Sequence, residues 1–327
     1  MTPSIRWGIL GTGLIAAELA AALKTMSDAT IVAVGSRSAA GANTFADRFG
    51  IPNRHASYQA LADDPQVDIV YVATPHPQHA ENSLMCLRAG KAIFCEKPFT
   101  INAKEAEEVI RVARERKLFL MEAMCTRHMP IVREAKRLIE EGAIGEVRMM
   151  HGDFGMYTDF DTEHRLMNLQ LGGGVLLDVG IYPISLASFI LGSIEDVAAT
   201  AFMGKTGVDY QIAVSLRHRG GGIATASASL EVASPLEAVI MGTKGRIHIH
   251  RNAYKSDRLT LIRNGSEPQI IHLPFNGNGY QFELGNAMEC MRKGKIESDL
   301  MPLDETLALM HVLDRIRTQI GLRYPAE

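Results

Sequence analysis

The sequence predicts an α/β protein in which a doubly wound parallel sheet is followed by a second domain with a largely antiparallel sheet. Three observations carry this. Strand-like and helix-like segments alternate over the first 123 residues; strand-like runs follow one another with turn residues between them beyond about residue 124; and 327 residues suit two domains at about 100–200 residues each. The expected domains are 1–124 and 125–327, with the last helix, about 303–321, packing back on the first domain.

The first domain opens with the apolar run IRWGIL (5–10), a short strand, and helix formers over 14–26. TIVAVGSR (30–37) is rich in β-branched residues and reads as a strand, and 39–50 reads as a helix that stops on Gly50. DIVYVAT (68–74) is a strand of the fully buried type. The helix 77–90 begins on proline and ends on glycine, the asymmetry helices favour. Strand 91–97, the charged-faced helix 102–117 and strand 118–123 complete the alternation. In the second domain a helix over 130–141 stops at Gly142. Strands are expected over 145–155, 195–203, 210–218, 222–232, 236–242, 245–251 and 257–263, several parted by turn pairs such as Lys244-Gly245 and Asn264-Gly265. The tail 303–321 has apolar residues at helical spacing.

Composition narrows the function. The chain is 46% hydrophobic and 22% charged, and 34 Lys and Arg against 37 Asp and Glu leave a net charge of −3. Nothing in that balance attracts nucleic acid or an anionic membrane. Cys86, Cys95, Cys125 and Cys290 form no CxxC pair and match no zinc spacing, so they read as reduced thiols of a cytoplasmic protein. No signal peptide is expected, and no apolar run approaches the roughly 20 residues that span a bilayer.

Gly11-Thr12-Gly13-Leu14-Ile15-Ala16 is a G-x-G-x-x-A run that follows a strand and opens a helix, the context a dinucleotide-binding (Rossmann) fingerprint requires. Gly11 permits the tight turn, Gly13 lets backbone approach a pyrophosphate at the helix N-terminus, and Ala16 lets helix and strand pack closely. An Asp or Glu at the end of the second strand would select NAD. Ser36 and Arg37 stand there instead and can bind a phosphate, which favours NADP(H) and leaves NAD(H) open. Thr74, Pro75, His76 and His79, and Glu96 with Lys97, lie at two further strand ends on the carboxyl edge of the sheet, where ligands of open α/β sheets bind. Lys97 ends an apolar strand, a costly place for a lysine without a partner or a function.

Together with GGGVLLDVGIYP at 172–183, the ordered set of GxGxxA, ATPxxxH and EKP resembles the Gfo/Idh/MocA family over nearly the whole chain. FLMEAMCTRHMP (119–130), IGEVRMMHGDFG (144–155), GTKGRI (242–247) and IGLRYP (320–325) are similar to its dihydrodiol dehydrogenase and NADP-dependent sugar dehydrogenase branch. The resemblance implies a second domain with a large open sheet that pairs two copies or builds a higher homo-oligomer. It also implies hydride transfer between nicotinamide C4 and a secondary alcohol or carbonyl of a sugar, a sugar derivative or a cyclic trans-diol. It places the family lysine at Lys97, the acid of its DxxxY motif at Asp178 and the phenol at Tyr182. Tyrosine rather than histidine at 182 points away from inositol. Cys125 stands where a tryptophan would match the dihydrodiol branch better, which tells against an aromatic dihydrodiol and leaves sugars open.

Alcohol oxidation needs a base for the hydroxyl proton. A free phenol, with a pKa of about 10, becomes one near neutrality beside an ammonium group. The roles are Tyr182 as acid/base, Lys97 as its electrostatic partner and Asp178 as orienter, with Lys97 itself the alternative proton carrier. Arg127 and Arg165 are further candidates for ligand contacts, and Phe154 for an apolar wall. Four-residue spacing puts Asp178 and Tyr182 on one helical face, unless Pro183 kinks the helix near Gly180 or starts a new one. His248 and His250 face the same side of a strand with no acidic cluster nearby in sequence, so no metal is expected. An NAD-dependent glycosidase on the same fold and a non-catalytic NADP sensor are the alternative functions.

Overall fold

The structure is a computed structural model and describes residues 4–157, 162, 164–325 and 327. The chain divides into two compact units, Met1–Met124 with Asn276–Leu307, and Cys125–Phe275 with Ala308–Glu327.

The first unit alternates β1 (Ile5–Leu10), α1 (Leu14–Lys24), β2 (Ala29–Gly35), α2 (Ala39–Phe49), β3 (Asn53–His55), α3 (Tyr58–Ala62), β4 (Ile69–Val72), α4 (His79–Arg88), β5 (Ala92–Glu96), α5 (Ala103–Arg116) and β6 (Leu120–Ala123). The strands pair in parallel in the order β3-β2-β1-β4-β5-β6. Helices cover both faces of such a sheet, so its central strands are mostly apolar, and every residue of β4 and β5 is buried. Trp7, Tyr71 and Phe94 interlock at the centre, with Phe94 edge-on to Trp7 at 5.8 Å between ring centroids. The helix ends are chemically marked. The Ser38 and Asn102 side chains accept backbone N–H bonds at the starts of α2 and α5, and Gly50 ends α2 in the left-handed region at φ 67°. The order of connection reverses between β1 and β4, so the strand ends there form the crevice of a doubly wound sheet.

The second unit holds α6 (Pro130–Glu140), β7 (Val147–Gly155), α7 (Ile181–Leu191), β8 (Ile194–Met203), β9 (Asp209–His218), β10 (Ile223–Ser229), β11 (Ala238–Gly242), β12 (Gly245–Ile249), β13 (Arg258–Arg263) and β14 (Gln269–His272). These strands form one sheet in the order β14-β13-β12-β11-β7-β10-β9-β8, antiparallel except where β10 runs parallel to β7. Side chains alternate across it. Ile212, Val214 and Leu216 of β9 are buried, whereas Ala213, Ser215 and Arg217 are exposed. The helix α7 covers the inner face over β7 and β10. Gly152 makes room for it, since a Cβ there would sit 3.2 Å from the Pro183 ring. The helix α8 (Gln281–Arg292) belongs to the first unit, and α9 (Leu303–Ile320) starts in the first unit and ends in the second.

The short β3, α3, β14 and the whole of α8 lie outside the sequence-based elements, and the strand expected over 245–251 stops at Ile249. The expectation about apolar runs is corrected too. Residues 169–191 are long and apolar enough to cross a membrane by length and composition, but most of the segment is buried inside the protein, where it serves as core.

Candidate active site

The glycine turn of the first unit is shaped for a phosphate. Gly11 has φ 108°, and a Cβ there would meet the Ala73 carbonyl at 2.6 Å, so only glycine lets β1 turn beneath the end of β4. Gly13 lies at the start of α1, and a Cβ on it would meet nothing within 4 Å. The N-terminus of α1 is therefore open to an approaching anion, and the adjacent Leu14 is 89% exposed. Thr12 and Ile15 are half-buried at its flanks. At the end of β2, Ser36 is buried, Arg37 is exposed, and Ser38 caps α2 through its bond from the Gly41 N–H. A cation at the N-terminus of a helix, with hydroxyls on either side and no carboxylate among 34–38, suits a second phosphate. These residues fit a dinucleotide.

The other strand ends are braced from within. The ring of His79 is fully buried, with Nδ1 2.8 Å from the Pro98 carbonyl and Nε2 2.7 Å from the Thr74 carbonyl, so it ties the end of β4 to the loop after β5. Asn82 donates to the Thr74 hydroxyl at 3.1 Å. His76 is buried beside His79, at 5.7 Å between rings, with Pro75 half-buried before it. Glu96 accepts from the buried Tyr71 hydroxyl, whose pKa burial and Glu96 push far up, so Tyr71 stays a donor. Lys97 follows at once, half-buried, with a cis peptide to Pro98. Beyond it, Glu122 accepts the Phe99 N–H at 3.2 Å and the Thr306 hydroxyl at 3.0 Å, which anchors the start of α9. Burial pushes the Cys86 thiol up to about 12, and Cys95, Cys125 and Cys290 are buried thiols as well.

In the second unit the segment around Asp178 and Tyr182 is not one α-helix. Leu176–Gly180 forms a π-turn, and α7 starts at Ile181 with Pro183 in its first turn, where a missing N–H costs nothing. Asp178 and Tyr182 thus lie on different elements, the alternative in which Pro183 stands in the first turn of a new helix. Asp178 is buried and accepts from Arg165 at 3.0 Å, with the guanidinium about half exposed. Tyr182 is half-buried and belongs to an aromatic stack. Phe154, at the end of β7, lies 5.4 Å from it between ring centroids, and Tyr254 lies 4.7 Å from Phe154 and 5.2 Å from Tyr182. Tyr254 donates its hydroxyl to the Asp153 carbonyl at 2.5 Å, and burial pushes its pKa far up, so it is a fixed wall rather than a proton carrier. Arg127 is buried and donates to the Ser185 hydroxyl and carbonyl, both at 3.1 Å, which holds α7 by its side.

The glycine run before the π-turn has its own support. The Asp209 carboxylate, at the start of β9, accepts the Leu176 N–H at 2.8 Å. Burial raises its pKa to about 7 against the opposing pull of backbone N–H groups and of Arg317. Gly174, at φ 113°, leaves that carboxylate room, because a Cβ there would overlap its Oδ1. The Tyr324 hydroxyl donates to the Gly173 carbonyl at 2.7 Å, and a Cβ on Gly173 would strike the Arg165 and Leu166 carbonyls.

The outer face of the same sheet carries the two histidines expected to share one side of a strand, and adds a carboxylate that their sequence neighbourhood lacks. His248 and His250 sit side by side there with Glu237 against them. Burial and the neighbouring His248 hold the His250 imidazole below its usual range.

Residues 5–124 match the model of the oxidoreductase family with an NAD-binding Rossmann fold, and 132–248 match the Gfo/Idh/MocA C-terminal domain. The chain belongs to the Gfo/Idh/MocA oxidoreductase family. It is 36% identical to trans-1,2-dihydrobenzene-1,2-diol dehydrogenase of Mus musculus and 34% identical to that of Homo sapiens, over 99% of each chain. Among solved structures it is similar to KijD10, a 3-ketoreductase of Actinomadura kijaniata in complex with NADP and TDP-benzene. That match has 29% identity and a TM-score of 0.87, and covers 97% of this chain and 98% of that one. It is also similar to an aldose-aldose oxidoreductase of Caulobacter crescentus, at 26% identity and a TM-score of 0.88, covering 97% and 98%.

As a member of this family the chain is an NAD(P)-dependent dehydrogenase acting on CH–OH groups. Its Rossmann unit presents the glycine turn, the Arg37 corner and Lys97 at the ends of parallel strands, and its second unit presents Asp178, Tyr182 and their aromatic wall. Tyr254 and Asp209 had no sequence mark. One lies in the loop RNAYKSD and the other begins a strand, and only the fold brings them to Tyr182 and to the glycine run.

Proposed function

We propose that this protein is an NADP(H)-dependent oxidoreductase that interconverts a secondary alcohol and a ketone on a sugar or a cyclic trans-diol. The observation that carries the reading is Tyr182, half-exposed at the start of α7 and stacked with Phe154 and Tyr254. A phenol held by its ring keeps its hydroxyl aimed while the ring face offers an apolar wall to a cyclic substrate. The relatives named for a cyclic diol, for 3-ketone reduction and for aldoses support that substrate class.

A bound nicotinamide would supply the hydride donor or acceptor. The chain's own residues do the rest. Tyr182 takes the hydroxyl proton in oxidation and returns it in reduction. Lys97 contributes the positive charge that favours the phenolate. Asp178, fixed by Arg165, orients a substrate hydroxyl. Arg37, with Ser36 and Ser38 beside it, binds the extra phosphate that distinguishes NADP. The assay is a panel of aldoses, keto sugars, cyclic polyols and trans-dihydrodiols with NADP+, NADPH, NAD+ and NADH, followed by nicotinamide absorbance. Turnover with NADP(H) on at least one cyclic member is expected. Turnover confined to NAD(H), or to acyclic members, would overturn the reading.

A further inference from the structure

The outer face of the second sheet presents a second constellation, on the side away from Tyr182. We propose that Glu237, His248 and His250 form a binding site for one divalent transition-metal ion of the zinc type.

The register of the sheet builds the cluster. In the antiparallel pair β11–β12, Val239 lies opposite His248 and Ala238 opposite Ile249. Glu237 and His250 are the residues just beyond the end of that ladder, and they meet His248 on one face of it. The chain buries Ile247 and Ile249, so the histidines that alternate with them point outward. One ligand atom from each of the three residues lies within 4.8 Å of the others. Nε2 of His248 is 2.9 Å from Glu237 Oε2, and the two imidazole centroids are 4.4 Å apart. Ligand atoms at about 2.0–2.2 Å from a zinc ion stand roughly 3.5 Å from one another, so small side-chain rotations close this set around an ion.

The supports of the ligands are in place as well. The Asp153 carboxylate accepts the backbone N–H groups of Leu236 and Glu237, at 2.8 and 3.2 Å, and the Ser234 hydroxyl, which fixes the segment that delivers Glu237. The Thr260 hydroxyl sits 2.7 Å from His250 Nε2 and sets that ring. A ring nitrogen occupied by a hydroxyl leaves the other for a metal, and such outer partners orient ligands in known sites. The donor set decides the metal class. Two imidazoles and one carboxylate suit Zn2+, Co2+ or Ni2+, whereas Mg2+ and Ca2+ take oxygen ligands. Partial exposure, 27% for the His248 side chain and 33% for Glu237, leaves room for water at the fourth position. All three ligands come from one chain, so the site needs no second copy.

The test uses the full-length protein without an affinity tag, stripped with a chelator. Zn2+ is titrated by calorimetry, and Co2+ by its visible absorption. The wild type is expected to bind one equivalent. H248A/H250A is expected to lose it, and H311A, altered at an exposed histidine of α9, to keep it. E237Q retains both rings and loses the charge, and is expected to weaken binding at least about tenfold, the loss reported even for groups one bond further from a metal. Circular dichroism and turnover on the preferred substrate verify that each variant is folded. If H248A/H250A does not fold, E237Q and the single variant H248A carry the comparison. A wild type that binds no equivalent, or one that survives these substitutions unchanged, overturns the proposal.

Discussion

Asp209 gives the protein a pH dependence that one substitution removes. Its carboxyl is buried at the start of β9, and its folded pKa of about 7 stands against 3.8 for an ordinary aspartate. The difference makes it about a thousandfold weaker as an acid in the folded chain, equivalent to about 4 kcal/mol. The sign follows from where the proton sits. Below about pH 4 the group is protonated in both the folded and the unfolded chain and costs nothing. As pH rises, the unfolded chain releases the proton and the folded chain keeps it, so stability is lost until the folded group also ionises near pH 7. Between pH 5 and pH 8 this amounts to about 2–3 kcal/mol. In D209N the group cannot ionise, while the amide oxygen still accepts the Leu176 N–H. The assay is guanidinium unfolding at pH 5 and pH 8, followed by circular dichroism, because Trp7 reports on the other unit. Other groups titrate alike in the two proteins and cancel in the difference. The wild type is expected to lose about 2–3 kcal/mol more than D209N between the two pH values. Equal losses would refute an elevated Asp209 pKa and with it the argument that burial outweighs the backbone N–H bonds.

Three more outcomes are expected. Y182F should lower kcat by about 10²–10⁴-fold while leaving the NADPH Kd unchanged, since a general acid/base contributes on that scale; stopped-flow turnover and fluorescence titration separate the two. R37A should weaken NADPH binding by about 10–100-fold, the equivalent of a charge-assisted bond of roughly 1.5–3 kcal/mol, and leave NADH binding as it was. G174A should destabilise the second unit by about 2–5 kcal/mol, because it adds backbone strain at positive φ to an overlap with Asp209, and a thermal melt at pH 6 reads the loss.

The first unit was legible because its strands are buried on both faces. IVYV and AIFC are contiguous apolar runs, and Gly50, Pro77 and Gly90 punctuate the helices between them. What escaped was short, polar or dependent on partners. β3 is NRH, three polar residues whose pairing with β2 alone makes them a strand. The helix α8 carries Gly285 at its centre and follows the glycine-rich stretch 276–279, so its composition resembles a loop. The same division runs through the candidate site. Lys97, Asp178 and Tyr182 stand in motifs that can be read along the chain. Tyr254, in the loop after β12, reaches Tyr182 only through the fold, and Glu237, just before β11, reaches His248 only through the pairing of β11 with β12, which linear spacing does not encode.

The π-turn at Leu176–Gly180 holds one residue more than an α-turn, because its bonds run from i to i+5 rather than i+4. It works as an insertion retained inside a helix. Deleting one residue there would restore regular α winding and swing everything upstream by about 100° around the axis, Asp178 included, while Tyr182 stayed on α7 against Phe154. The angular setting of the acid is thus written in chain length, and that of the phenol in stacking. A length change and a point substitution can alter one without the other.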